Sequence, residues 1–309
     1  MKIVFLGSAP FSMPSLTMII RQEDELLAVV TQPDRRRGRG QKVSSTPVAV
    51  EAEKAGLTVL KPKRVNDEYF VATLREMSPD LMVVVAYGQI LSHRVLDIPA
   101  AGCINVHASL LPKYRGAAPV EWAVIRGEKV TGVTTMLMNE GVDTGPILMS
   151  REVAILPGET AGQLSQRLSL IGAEVLQETL EAWKRKTLRP RPQDTSAAVC
   201  APSLRREDAR IRWDRTGKEI VNLIRGTNPR PGAHTMLEGR LLKIFEASFL
   251  QTKTSKPPGS IVQLSRTWLK VACGDGYVYV KEVQPENRRK MPVEAFLAGA
   301  RLKTGMVLE

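Results

Sequence analysis

Asp80-Leu81-Met82-Val83-Val84-Val85-Ala86 decides the fold class. Six apolar residues in a row, three of them valines, leave no polar face, so the run reads as a parallel strand covered on both sides by helices. It delivers Tyr87-Gly88-Gln89-Ile90-Leu91 to the carboxyl edge of the sheet, where ligands of open α/β sheets sit. Lys2 to Leu6 is a second buried strand, followed by the turn Gly7-Ser8-Ala9-Pro10, a helix from about Pro14 to Gln22 and a strand from Leu26 to Thr31. That is a β-α-β unit of the doubly wound, Rossmann-like class. Helices over Val48 to Ala55 and Asp67 to Met77, with a short strand at Thr58 to Leu60, continue it. The Gly-x-Gly-x-x-Gly that a dinucleotide site needs after the first strand is absent, and Gly38-Arg39-Gly40 lies in the wrong context. A nicotinamide or flavin cofactor is therefore not expected.

Downstream, Cys103-Ile104-Asn105-Val106-His107 reads as a strand ending in polar groups. Residues two apart leave the same face, so Asn105 and His107 project together while Ile104 and Val106 pack behind. A turn from Ala108 to Gly116, a helical stretch from Ala118 to Arg126 and a strand from Thr131 to Met138 follow. The chain then enters Asn139-Glu140-Gly141-Val142-Asp143-Thr144-Gly145, an acid bracketed by glycines in a loop. An amide, an imidazole and a carboxylate suit acyl transfer to an amine without a covalent intermediate: donor to an oxyanion, proton relay, and orienter of the ring. Taken singly, the same residues read as a loop-capping pair and an ordinary turn former.

The chain has 309 residues, 43% of them apolar, enough for about two domains with real cores. A formal charge of +12 suits a polyanionic partner, nucleic acid or phosphate. Cys103, Cys200 and Cys273 lack metal-ligand spacing and are too few for a disulfide framework, which fits a reducing cytoplasm. About four apolar residues precede Gly7, short of the roughly seven to fifteen of a secretory signal. The run Leu81 to Ala86 is far below the roughly twenty of a membrane span, so a soluble, unexported protein is expected.

Pro33-Asp34-Arg35-Arg36-Arg37-Gly38-Arg39-Gly40-Gln41-Lys42 is a basic, glycine-bearing loop that reads either as a solvated surface or as a phosphate-docking segment. Past a strand at Ile147 to Val153 and a helix over Thr160 to Trp183 with Thr160 as N-cap, Lys184 to Pro202 is basic, proline-bearing and aperiodic. The division expected is a catalytic domain over 1–183, a linker over 184–204 and a basic domain over 205–309. The last segment carries about twenty basic residues against about eleven acidic ones. After a helix at Gly217 to Arg225, strands are expected at Leu241 to Ala247, Gly259 to Leu264, Leu269 to Cys273 and Tyr277 to Val283. Gly274-Asp275-Gly276 supplies a hairpin turn, and strands of this number suggest a small oligonucleotide-binding (OB-like) barrel.

Asn105-Val106-His107-Ala108-Ser109-Leu110-Leu111-Pro112, then Arg115-Gly116-Ala117-Ala118-Pro119, Thr131-Gly132-Val133-Thr134 and Gly141-Val142-Asp143-Thr144-Gly145 closely resemble the formyltransferase family that uses 10-formyltetrahydrofolate. The match runs from near residue 1 to near 300. The resemblance implies transfer of the formyl group to the α-amine of methionine esterified to initiator tRNA, with Asn105, His107 and Asp143 catalytic. It further implies a folate pocket with Ile90 and Leu91 as walls and Ser109, Leu110, Leu111 and Pro112 as the contacting turn. The basic loop becomes a tRNA-binding insertion, with Arg39 at the family's arginine, Arg36 and Arg37 as added charge, and Lys42 alongside. No metal is implied; His93 and His234 lack ligand-like partners in the sequence. A monomer with no membrane partner is expected.

Two departures stand out. Asn228-Pro229-Arg230-Pro231 replaces the usual Asn-Pro-Trp-Pro, and Ser8-Ala9-Pro10 replaces Thr-Pro-acid. Two other function classes share part of this pattern. A formyltransferase for a small phosphorylated amine would keep the three polar residues without needing the basic barrel, and a noncatalytic RNA-binding protein would explain the charge alone.

Overall fold

In the computed structural model, residues 1–37, 42–300 and 302–309 are described. They form two compact units: residues 1–116, 130–154 and 165–201, and residues 117–129, 155–164 and 202–309. In chain order the strands are β1 (Lys2–Gly7), β2 (Glu25–Val30), β3 (Arg35–Arg37), β4 (Lys42–Ser44), β5 (Val59–Leu60), β6 (Leu81–Val85), β7 (Cys103–His107), β8 (Val130–Leu137) and β9 (Ile147–Ala154). They continue with β10 (Ala233–Leu237), β11 (Arg240–Gln251), β12 (Ile261–Leu264), β13 (Leu269–Cys273), β14 (Gly276–Pro285) and β15 (Met291–Pro292). The helices are α1 (Met13–Ile20), α2 (Pro47–Lys54), α3 (Glu68–Met77), α4 (His93–Leu96), α5 (Pro119–Ile125), α6 (Ala161–Lys184), α7 (Gly217–Gly226) and α8 (Val293–Gly299).

The first unit is built on a seven-stranded sheet of order β5-β2-β1-β6-β7-β8-β9. β5, β2, β1, β6 and β7 run parallel, and β8 and β9 add an antiparallel pair. Every residue of β6 is buried, as its uninterrupted apolar sequence requires. Ile3, Val4, Phe5 and Leu6 of β1 are likewise closed to solvent, each such side chain stabilising the fold by about 1.5 to 3 kcal/mol. Helix starts follow their caps: the Thr46 hydroxyl accepts from Ala49 N–H, and the Asp67 carboxylate from Tyr69 N–H. The buried hydroxyls of Thr135 on β8 and Thr179 on α6 meet at 2.8 Å, and each is also bonded to backbone, Thr135 accepting from Met149 N–H and Thr179 donating to Val175 O. The basic loop begins and ends as the antiparallel pair β3–β4, with Arg36 opposite Val43.

The second unit carries the antiparallel path β10-β11-β14-β13-β12, with β15 beside β14. The chain end joins its two edges, Leu308 bridging to Leu237 and Val307 to Ser260. Its core holds Ile211, Trp213, Ile220, Ile224, Leu242, Ile244, Val271, Val278 and Val280. Helix α7 starts on a capping box made by Thr216 and Glu219. The substituted Arg230 is exposed. Among the described residues no helix is long and apolar enough to cross a membrane.

Candidate active site

Strand β7 ends at the carboxyl edge of the first unit's sheet, and its last polar residues meet the loop between β8 and β9. Asn105 Nδ2 donates to Asp143 Oδ1 at 3.3 Å, and His107 Nδ1 lies 3.5 Å from Asp143 Oδ2. The second ring nitrogen of His107, Nε2, donates to the carbonyl of Tyr114 at 2.9 Å; a carbonyl can only accept, so the proton sits on Nε2. Gly116 N–H completes the carboxylate's shell, donating to Oδ2 at 2.8 Å. His107 is 6% exposed and the Asp143 side chain 13%, so the pair is largely screened from water, while Asn105 is half-buried. The bond to Asp143 uses one of the two Asn105 amide protons, leaving the other for a ligand oxygen.

Backbone shape brings these groups together. Asp143 takes a left-handed φ of 52°, a region that Asp and Asn enter more readily than most residues. A side chain at Gly145 would overlap the Leu137 carbonyl oxygen, so only glycine lets the loop lie this close to β8. The turn after β7 hangs on Thr134 of β8: its hydroxyl donates to Ser109 O at 2.7 Å and accepts from Leu111 N–H at 3.1 Å. The Ser109 hydroxyl closes the same turn on Lys113 O at 2.6 Å. All of these contacts lie within the first unit.

Asn105, His107 and Asp143, predicted from the sequence, thus share one cluster, with Ser109 and Leu111 fixed through Thr134. Ser109 and Leu111 are buried and Leu110 and Pro112 half-buried. Ile90 is 71% exposed, whereas its neighbour Leu91 packs into the core with Tyr87, Val95, Leu96 and Cys103. Arg36 is exposed on β3; Arg39 lies outside the described residues, as do the side chains of Arg37 and Lys42. The exposed His93 faces Glu140 of the loop at 3.5 Å. Among the described residues no group of three His, Cys, Asp or Glu could hold a metal ion.

Sequence reasoning missed Gln193. Its Nε2 donates to Asp143 O at 2.9 Å and to Gly145 O at 2.7 Å. Its Oε1 accepts from Arg115 Nε at 3.0 Å and Arg115 Nη2 at 2.7 Å. The residue lies in the proline-bearing stretch read as a linker, where no local pattern marks it; there Arg191 bridges to Ile147, and Cys200 to Arg115. Cys103, which opens β7, is no nucleophile: burial, reinforced by Asp97, pushes its thiol up to about 12.

The sequence model described as formyl transferase matches residues 1–180, and that described as formyl transferase, C-terminal domain, matches residues 203–301. The methionyl-tRNA formyltransferase of Geobacter metallireducens is 46% identical over 308 residues, covering 100% of this chain and 98% of its own. That of Acetivibrio thermocellus is 47% identical over 309 residues, covering 100% and 99%. Among solved structures, an N-formyltransferase from Helicobacter canadensis in complex with folinic acid and dTDP-3-aminofucose superimposes with a TM-score of 0.66. It is 16% identical over 94% of this chain and 100% of that one, a likeness of fold.

Proposed function

The chain belongs to the formyl transferase family, and from that premise we propose that it transfers the formyl group of 10-formyltetrahydrofolate to the α-amine of methionyl initiator tRNA, for translation initiation. The observation that carries this reading is that Asn105 and His107, at the end of β7, each bring a nitrogen within 3.5 Å of the Asp143 carboxylate in the loop between β8 and β9.

The folate donor supplies an electrophilic formyl carbon on N10. Asn105 directs its free amide proton at the formyl oxygen, which gains negative charge as the amine attacks. The amine gives up one proton as its bond to carbon forms, and N10 takes one up as its own bond breaks. His107 helps move that proton toward the leaving N10, while Asp143, with Oδ2 3.5 Å from Nδ1, orients the ring and stabilises its charge. The incoming amine, with a reference pKa of about 8 or below, is available in its neutral form. Ser109, Leu110, Leu111, Pro112 and Ile90 form the rim for the folate, with Leu91 in the core behind Ile90. Arg36, Arg37, Arg39 and Lys42, with the basic domain over 205–309, hold the tRNA, and 1–183 is the catalytic domain. A cytoplasmic monomer fits this role. Formylation rates of Asn105→Ala and His107→Ala variants test the assignment; both fall by two or more orders of magnitude if it holds, and near-normal rates defeat it.

A further inference from the structure

We propose that Gln193 is a positioning residue for this reaction, setting the Asp143 carboxylate by gripping the main chain on both sides of Thr144 and tying it to Arg115. The proposal rests on the formyl-transfer reading above. A carboxamide offers two N–H donors and two acceptor sites, and Gln193 uses all four: Asp143 O, Gly145 O, and two nitrogens of Arg115. The far end of the clamp is itself anchored. Arg115 N–H donates to Val199 O, and its carbonyl accepts from Ala201 N–H.

The consequence is that one dipeptide holds Asp143 at two points. Gly116 N–H bonds the carboxylate directly, and Arg115 fixes the backbone of the same residue through Gln193. Residue 143 sits in a left-handed conformation; Asn105 and Gly116 hold its carboxylate and His93 faces Glu140, while within the loop Asn139 ties Gly141 and Thr144. With Gln193 removed, the main chain that aims Oδ2 at His107 loses the bonds to the Asp143 and Gly145 carbonyls and the tie to Arg115. No other amino acid reproduces the contact: Glu keeps the acceptor for Arg115 but has no donor for the two carbonyls, and Asn is one methylene short.

The test is steady-state formylation of charged initiator tRNA by Gln193→Leu, and by Gln193→Glu should the leucine variant fail to fold, each alone and combined with Asp143→Asn. A displacement of about 1 Å at a reacting group costs roughly a hundredfold. The single variant should therefore lose about thirty- to a hundredfold in kcat, with either KM changed less than threefold. Because Gln193 acts through the carboxylate, adding its variant to Asp143→Asn should cost less than threefold more. A merely structural role would give equal losses in both backgrounds. Equal losses, or a single variant within threefold of the unaltered kcat, overturns the proposal. Absence of formyl transfer by the unaltered protein overturns instead the functional reading on which it rests.

Discussion

Replacing Asp143 by Asn separates charge from shape at the centre of the site. Asn tolerates the left-handed φ of 52° as well as Asp does, so the loop keeps its path. One amide oxygen can retain the 2.8 Å bond from Gly116 N–H, but the NH2 then faces the Asn105 amide, donor against donor. The larger effect is electrostatic. An imidazolium formed at His107 lies 3.5 Å from the carboxylate, an attraction of roughly 5 kcal/mol at an effective dielectric near 20. That corresponds to about three and a half decades of rate. A neutral amide keeps part of this, so Asp143→Asn should slow single-turnover formyl transfer by about a hundred- to ten-thousandfold. The melting temperature should move by only a few degrees. A rate within threefold of the unaltered protein would refute the assignment of Asp143 as the partner of His107.

Thr134→Val should leave Ser109 O and Leu111 N–H buried without their partner, at about 1 to 3 kcal/mol each. Urea unfolding should show the loss and the KM for folate should rise, whereas unchanged values of both would contradict the role given to this turn. Arg36→Glu should raise the KM for tRNA several-fold at 50 mM salt and much less at 200 mM, leaving the folate KM alone; no salt-dependent change would remove Arg36 from the tRNA surface. His234 titrates below its ordinary 6.5 because of burial first, and then of Arg206, Lys243 and Arg210. The unfolded chain therefore binds that proton more readily, and the stability from a neutral His234 is present above about pH 6.5 and lost as pH falls toward the lower folded value. Melting curves between pH 7.5 and 5 should fall less steeply for His234→Asn, and parallel profiles would contradict this.

Much of the fold could be read from local chemistry. β6 and β7 stand in the sequence because uninterrupted or alternating apolar residues have one way to be buried, and α6 because Leu164, Leu168, Val175 and Leu176 share a face. The direction of β8 could not be read. Between His107 and Val130 lies a connection long enough for either a parallel crossover or an antiparallel return, and the chain takes the return. The strands β3 and β4 were hidden because Arg35 to Arg37 has no apolar periodicity; their pairing is between neighbours in the chain. β10 follows two prolines within Asn228 to Gly232, and α8 starts on Pro292 with no side-chain cap, so both lacked the usual start signals.

The site divides the same way. Asn105 and His107 are two apart on one strand, so their shared face follows from the period of the strand. Asp143 was legible through its bracketing glycines, and Gly145 proves to be a contact position against Leu137. Gln193 was not legible, because its partners lie 50, 48 and 78 residues away and its own surroundings are proline and charge. Of the neighbours Ile90 and Leu91, the sequence made both pocket walls; chain geometry turns one outward and buries the other.

The most direct measurement is formation of formyl-methionyl-tRNA from charged initiator tRNA and 10-formyltetrahydrofolate by the full-length protein. Product that depends on both substrates, and that falls at least a hundredfold with His107→Ala, is the predicted result. Full product from the His107→Ala protein, or none from the unaltered one, would contradict it.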